Sequence, residues 1–169
     1  MSEQNINTQF VNYIKENLTG ETQQNAHNFV KHLISLGMTA EGSSNDGKFV
    51  YKGKTVCHTY FGNSKNTPGY PEPWTVWSSG DEDDFSKEVE SVPFTERMKE
   101  IAWANAHNHD VNCPSINTWC SGGKYKIIFG REFDNICVST IGFTDPDSEA
   151  IECAKKLVEM RKHAIDAGE

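Results

Sequence analysis

Residues 48–61, KFVYKGKTVCHTYF, leave the chain few ways to fold. Aromatic and β-branched side chains alternate with polar ones on either side of Lys52-Gly53, the pattern of two extended arms joined at a turn. The spacing predicts a hairpin. In its second arm Val56, His58 and Tyr60 fall on one face and Cys57, Thr59 and Phe61 on the other. A loop rich in Gly, Pro and Asn follows at 63–73, and then Trp74 to Trp77 (WTVW) reads as a third short strand. Strands with aromatics on both faces imply a sheet with some side chains lining a groove. Tyr60, Phe61, Trp74 and Trp77 are the candidate ligand-binding residues.

Elsewhere the apolar period lengthens to that of a helix. Phe10, Val11, Ile14 and Leu18 share one stripe, with Thr8 as N-cap and Gly20 as the end; Ala26, Phe29, Val30, Leu33 and Ile34 share another, begun near Thr22 and stopped at Gly37. His27 and His32 are five apart, so they are read as solvated or partly packed side chains and not as a pair. Ser91 and Pro93 are expected to open a third helix, carrying Phe94, Met98, Ile101 and Ala102 and ending near His107. The clearest helix is the last. Thr144-Asp-Pro-Asp147 supplies its cap and acidic first turn, Arg161, Lys162 and His163 sit near its far end, and Ile151, Ala154, Leu157, Val158 and Ile165 form its stripe. Cys153, off the centre of that stripe, is read as structural.

These elements predict a single α+β domain: an antiparallel sheet of about five short strands with amphipathic helices packed on one face. Its parts are a helical stretch (1–40), a first β region (47–78), an acidic and helical segment (81–107) and a Cys-containing β region with the C-terminal helix (111–169). At 169 residues such a domain needs no metal or disulfide merely to hold a core. A net charge of −8, from 24 acidic and 16 basic residues, disfavours nucleic acid and anionic membrane surfaces as partners. No apolar run approaches the roughly 20 residues of a membrane span. The first ten residues have neither the basic nor the apolar part of a secretory signal, so a cytoplasmic location is expected.

Between Cys113 and Cys137 the chain carries three of its five cysteines, just after His107 and His109. Zinc takes four tetrahedral thiolate or imidazole ligands, so the candidate metal set is Cys113, Cys120, Cys137 and His109, or His107 in its place, with Gly122-Gly123 allowing a tight fold around the ion. No C-x-x-C pair is present. Two other readings stand beside zinc: Cys120 and Cys137 as small buried hydrophobes near Trp119, and Cys113 with Cys120 as a redox pair activated by a neighbouring histidine. The acidic run from Asp81 to Glu90 lacks the Gly and Glu of a calcium-binding EF-hand loop and is read as an acidic helix start. Gly122-Gly123 precedes a strand and lacks phosphate-loop spacing, and no nucleophile-elbow or zinc-protease motif occurs. A faint echo links KFVYKGKTVCHTYF to KYKIIFGREFDNICVSTIGF, each a strand, a Gly turn and a strand with a Cys in the second arm.

The last third of the chain resembles a group of uncharacterised bacterial proteins. The matching residues are Cys113, Cys120, Gly122 or Gly123, Ile128-Phe-Gly-Arg-Glu-Phe133, Asn135-Ile-Cys137, Phe143-Thr-Asp-Pro-Asp147 and Lys155-Lys-Leu-Val-Glu-Met-Arg-Lys162. The resemblance implies a zinc site. Ile116 stands where the group has its second cysteine, so that site is degenerate here, completed by a histidine or lost. No activity comes with the resemblance. Two functions are therefore expected: a non-catalytic small-molecule or partner-binding module, with no catalytic residue, or a zinc- or thiol-dependent enzyme centred on Cys113, Cys120 and His109.

Overall fold

Positive backbone φ at two successive residues lets a two-residue turn follow the right-handed twist of its strands. Lys52 (49°) and Gly53 (79°) do this, and so do Phe129 (49°) and Gly130 (79°). Each pair joins two strands of an antiparallel hairpin. A computed structural model describes residues 3–43, 45–61, 73–78, 92–109 and 122–168. In chain order the elements are α1 (Glu3–Asn17), α2 (Gly20–Ser35), β1 (Thr39–Gly42), β2 (Asp46–Tyr51), β3 (Lys54–Phe61), β4 (Trp74–Ser78), α3 (Glu96–Ala104), β5 (Ala106–Asn108), β6 (Lys124–Ile128), β7 (Arg131–Thr144) and α4 (Ser148–Asp166).

The protein is α+β, with one antiparallel sheet of seven strands among the described residues in the order β1-β2-β3-β4-β7-β5. β6 pairs with β7 off that path. The long strand β7 organises this end of the sheet. Ile136 pairs with Asn108 of β5 and with Lys124 of β6, so those two strands lie on opposite edges of β7. The count exceeds the expected five because β1 and β5 are short and carry no alternating pattern of their own. β5 takes up residues assigned to the third helix, which ends at Ala104, and His107 is therefore on a strand.

Helix starts also differ from expectation. α1 begins at Glu3, which puts Thr8 inside the helix and not at its cap. α3 is opened by Thr95, whose Oγ1 accepts from the Met98 N–H at 3.2 Å, and not by Ser91 and Pro93. The cap of α4 lies where the sequence places it: Asp147 Oδ1 accepts from the Ala150 N–H at 2.8 Å. Gly37, at φ +82°, makes the left-handed stop after α2.

Most of the expected stripe residues fill a common core, with Val11 and Ile34 only partly buried against it. Phe10, Ile14 and Leu18 of α1, Ala26, Phe29, Val30 and Leu33 of α2, and Ile151, Ala154, Leu157, Val158 and Ile165 of α4 are all buried in it. Cys153 belongs to this core and donates to the Met98 carbonyl at 3.4 Å. Burial pushes its thiol up to about 12, so it stays protonated at neutral pH. Val56 is also in the core, away from the face shared by His58 and Tyr60. The β2–β3 register slips there, with Phe49 opposite Cys57 but Val50 opposite Thr55, and this bulge leaves Val56 and Cys57 both facing inward. No helix among the described residues is long and apolar enough to cross a membrane.

Candidate functional site

Alternation on β3 and β4 separates the four predicted aromatic residues into two pairs. Phe61 is registered opposite Trp74, and their rings stack with centroids 5.4 Å apart and planes 8° from parallel. Both are 0% exposed. Phe10 of α1 approaches Phe61 and Phe29 of α2 approaches Trp74, with centroid separations of 6.0 and 6.3 Å, so this pair is part of the helix-side core. Tyr60 and Trp77 point to the other side of the sheet and are half-buried. A single lining of Tyr60, Phe61, Trp74 and Trp77 is thus replaced by two faces, because Phe61 and Trp74 each differ by an odd number of residues from the partner on their own strand.

The face that carries Tyr60 and Trp77 is laid out in two rows. Register places Glu41, Lys48, His58, Trp77 and Gly142 side by side across β1, β2, β3, β4 and β7. The neighbouring row is Asp46, Tyr60, Thr75 and Thr144. Beyond Gly142 the row is extended by a side-chain contact: the imidazole of His107 on β5 meets the Trp77 indole edge-on, with centroids 4.7 Å apart and an interplanar angle of 83°. Gly142 permits that reach. A Cβ at this position would lie 2.3 Å from Trp77 Cζ3 and 2.5 Å from Cε3, so only glycine lets the indole cross β7.

The described charges of these two rows are few and slightly acidic in sum. Lys48 is paired with Glu41 at 3.0 Å, which leaves Asp46 as the remaining carboxylate of the two rows. Burial lowers the pKa of His58, Asp46 acts the other way and Lys48 adds to the lowering. His58 is therefore a neutral imidazole at pH 7, able to donate through one nitrogen and accept through the other. Thr75 is 0% exposed, and its Oγ1 makes no hydrogen bond among the described residues.

Of the candidate metal ligands, Cys113 and Cys120 lie outside the described residues, as do residues 63–72 of the expected loop and the acidic run 81–90. Cys137 is buried on β7. His109 just follows β5, and its main chain is tied to Asn135: the His109 N–H donates to the Asn135 carbonyl at 2.7 Å and Asn135 Nδ2 donates to the His109 carbonyl. Among the described residues no group of three or more His, Cys, Asp or Glu side chains is placed to hold a metal ion. His32, read as partly packed, is half-buried between α2 and α4 with its Nε2 3.2 Å from Glu159 Oε1. A dent of about 210 Å³ between α3 and α4 is lined by Arg97, Glu100, Asp147 and Glu149, and Arg97 is already bonded to Glu149 at 2.8 Å.

His58, Thr75 and Gly142 are not among the residues expected at a site, and His107 is expected only as an alternative metal ligand. For His58 and Thr75 the signal was present, since each alternates with an aromatic already chosen. Gly142, inside a strand, is the usual mark of a close approach. The contact of His107 with Trp77 is not expected from a helix carried through to His107. No protein-family model matches the chain, and no curated protein or solved structure matches it either.

Proposed function

We propose that this protein is a non-catalytic binding module whose recognition face is the row His58, Trp77, Gly142 and His107 with the adjoining Tyr60 and Thr75. The observation that supports this most is the passage of Trp77 over Gly142 onto His107: a glycine in mid-strand sacrifices strand stability, and here it places a half-buried indole between two imidazoles. Half-buried aromatics beside a few polar groups are the usual make-up of a small-molecule site. On the other face Phe61 and Trp74 pack against Phe10 and Phe29 of the helices. The test is a screen of metabolites and short peptides, read by thermal stability and by the fluorescence of the wild type against Trp77→Phe. A binder should raise the melting temperature and change wild-type emission more than that of the variant; a screen in which nothing does so removes the reading.

A zinc site is the second reading, and one feature of β7 favours it. The connection 109–122 leaves one edge of β7 beside Ile136 and returns on the other, so Cys113 and Cys120 belong to a segment anchored on both sides of the strand that carries Cys137. His109 is pinned there by Asn135. Cys113, Cys120, Cys137 and His109 would then ligate the ion; with water in place of one ligand the same set would serve a zinc- or thiol-dependent enzyme. Elemental analysis of untagged, anaerobically purified protein should find about one zinc per chain if four such ligands are present, and Cys120→Ser should lose it. Protein without zinc, or full retention in that variant, rules out this set.

A further inference from the structure

Resting on the binding-face reading, we propose that the ligand is an uncharged or cationic nitrogen heteroaromatic ring, lying against Trp77 and Tyr60 and hydrogen-bonded to the buried hydroxyl of Thr75. A buried hydroxyl without a partner is costly, because it has given up its bonds to water and gained none in return. Thr75 Oγ1 is in that state in the described protein, between Tyr60 across the strand pair and Trp77 two residues on. Two further buried groups without a hydrogen-bond partner among the described residues, Thr59 Oγ1 and Trp74 Nε1, face the helix side, where Phe10, Phe29 and Phe61 fill the space. Thr75 stands on the face with half-buried rings. A ring nitrogen or exocyclic amine reaching Thr75 would satisfy its hydroxyl.

Charge selects among aromatic ligands. Glu41 already neutralises Lys48, Asp46 adds a negative charge to the second row, and the whole chain carries −8. On those rows an aromatic carboxylate or phosphate would meet Asp46 and a lysine already paired with Glu41, and the buried Lys126 ammonium on β6 is engaged with Thr140 of β7 at 2.7 Å; a neutral or protonated heterocycle meets no such repulsion.

The experiment titrates the full-length ¹⁵N-labelled protein with adenine, nicotinamide and benzoate, following the Trp77 indole and Thr75 amide resonances. Adenine or nicotinamide should shift both in a saturable way, and benzoate should bind about tenfold more weakly or not at all. Thr75→Val should weaken the heterocycle about tenfold, as expected for one lost hydrogen bond, while Thr75→Ser, which keeps the hydroxyl, should retain it. Equal affinity in Thr75→Val, a loss in the folded Thr75→Ser, or benzoate binding as tightly as the heterocycles would overturn the proposal while leaving a binding face. No shift of His58, Trp77 or His107 with any of the three probes, or with any hit of the wider screen, would instead remove the binding face itself.

Discussion

The two faces of the central sheet use similar residues for opposite ends. On the helix side Phe61 and Trp74 are in register, stacked and sealed by Phe10 and Phe29. On the other side Tyr60 and Trp77 sit one residue away on the same two strands, and their neighbours are His58, Thr75 and a glycine. On β3 and β4 composition does not separate the faces by their rings, since each side holds two large aromatics. What differs is the layer opposite. Aromatic rings met by other rings become core; rings met by imidazoles and a bare backbone keep part of their surface and their polar edges.

The largest effect is expected from breaking the closed face. Trp74→Ala removes an indole with no exposed surface and should cost about 3–5 kcal/mol in urea unfolding, against about 1 kcal/mol or less for Trp77→Ala, whose ring is only half-buried. Equal losses would mean that the two faces are one core. Next is Gly142→Ala, which forces the Trp77 ring off β7 and should cost about 1–3 kcal/mol. In the double variant Trp77→Ala/Gly142→Ala most of that cost should disappear, and a double-mutant cycle with no coupling would break the proposed contact. Thr59→Val should have a smaller effect of opposite sign, a gain of about 1 kcal/mol, because a hydroxyl without a described partner gives way to a methyl group in an apolar surrounding. The smallest effect is a pH dependence. His58 has a folded pKa below its ordinary 6.5, so the unfolded chain takes up the proton first as the pH falls. Stability from this residue is therefore full above about pH 6.5 and is lost as the pH drops through that value toward the lower folded one. The midpoint of urea unfolding should fall less steeply between pH 7.5 and 5.5 in His58→Gln than in the wild type; identical slopes would show that His58 is not held neutral.

Much of this arrangement was legible before any coordinates. The Lys52-Gly53 turn, the stripe Phe29, Val30 and Leu33, the left-handed Gly37 and the Asp147 cap all rest on interactions within a few residues, and each occurs where the local pattern places it. The Phe129-Gly130 turn repeats the first, which is why KFVYKGKTVCHTYF and KYKIIFGREFDNICVSTIGF look alike; both need positive φ at two residues. Strand count and strand ends were not legible. β5 is three residues long and exists because β7 offers it an edge, so a propensity reading carries the helix through to His107.

The sequence by itself determined the local conformations, the α+β class and the alternation that divides residues 57–61 between two faces, since these follow from backbone geometry and periodicity. Tertiary structure alone decided which face became the core. It placed Gly142 beneath Trp77 and brought His107, thirty residues along the chain, against that indole. Contacts of this kind depend on strand order and register, which long-range pairing sets and which no short window of residues contains.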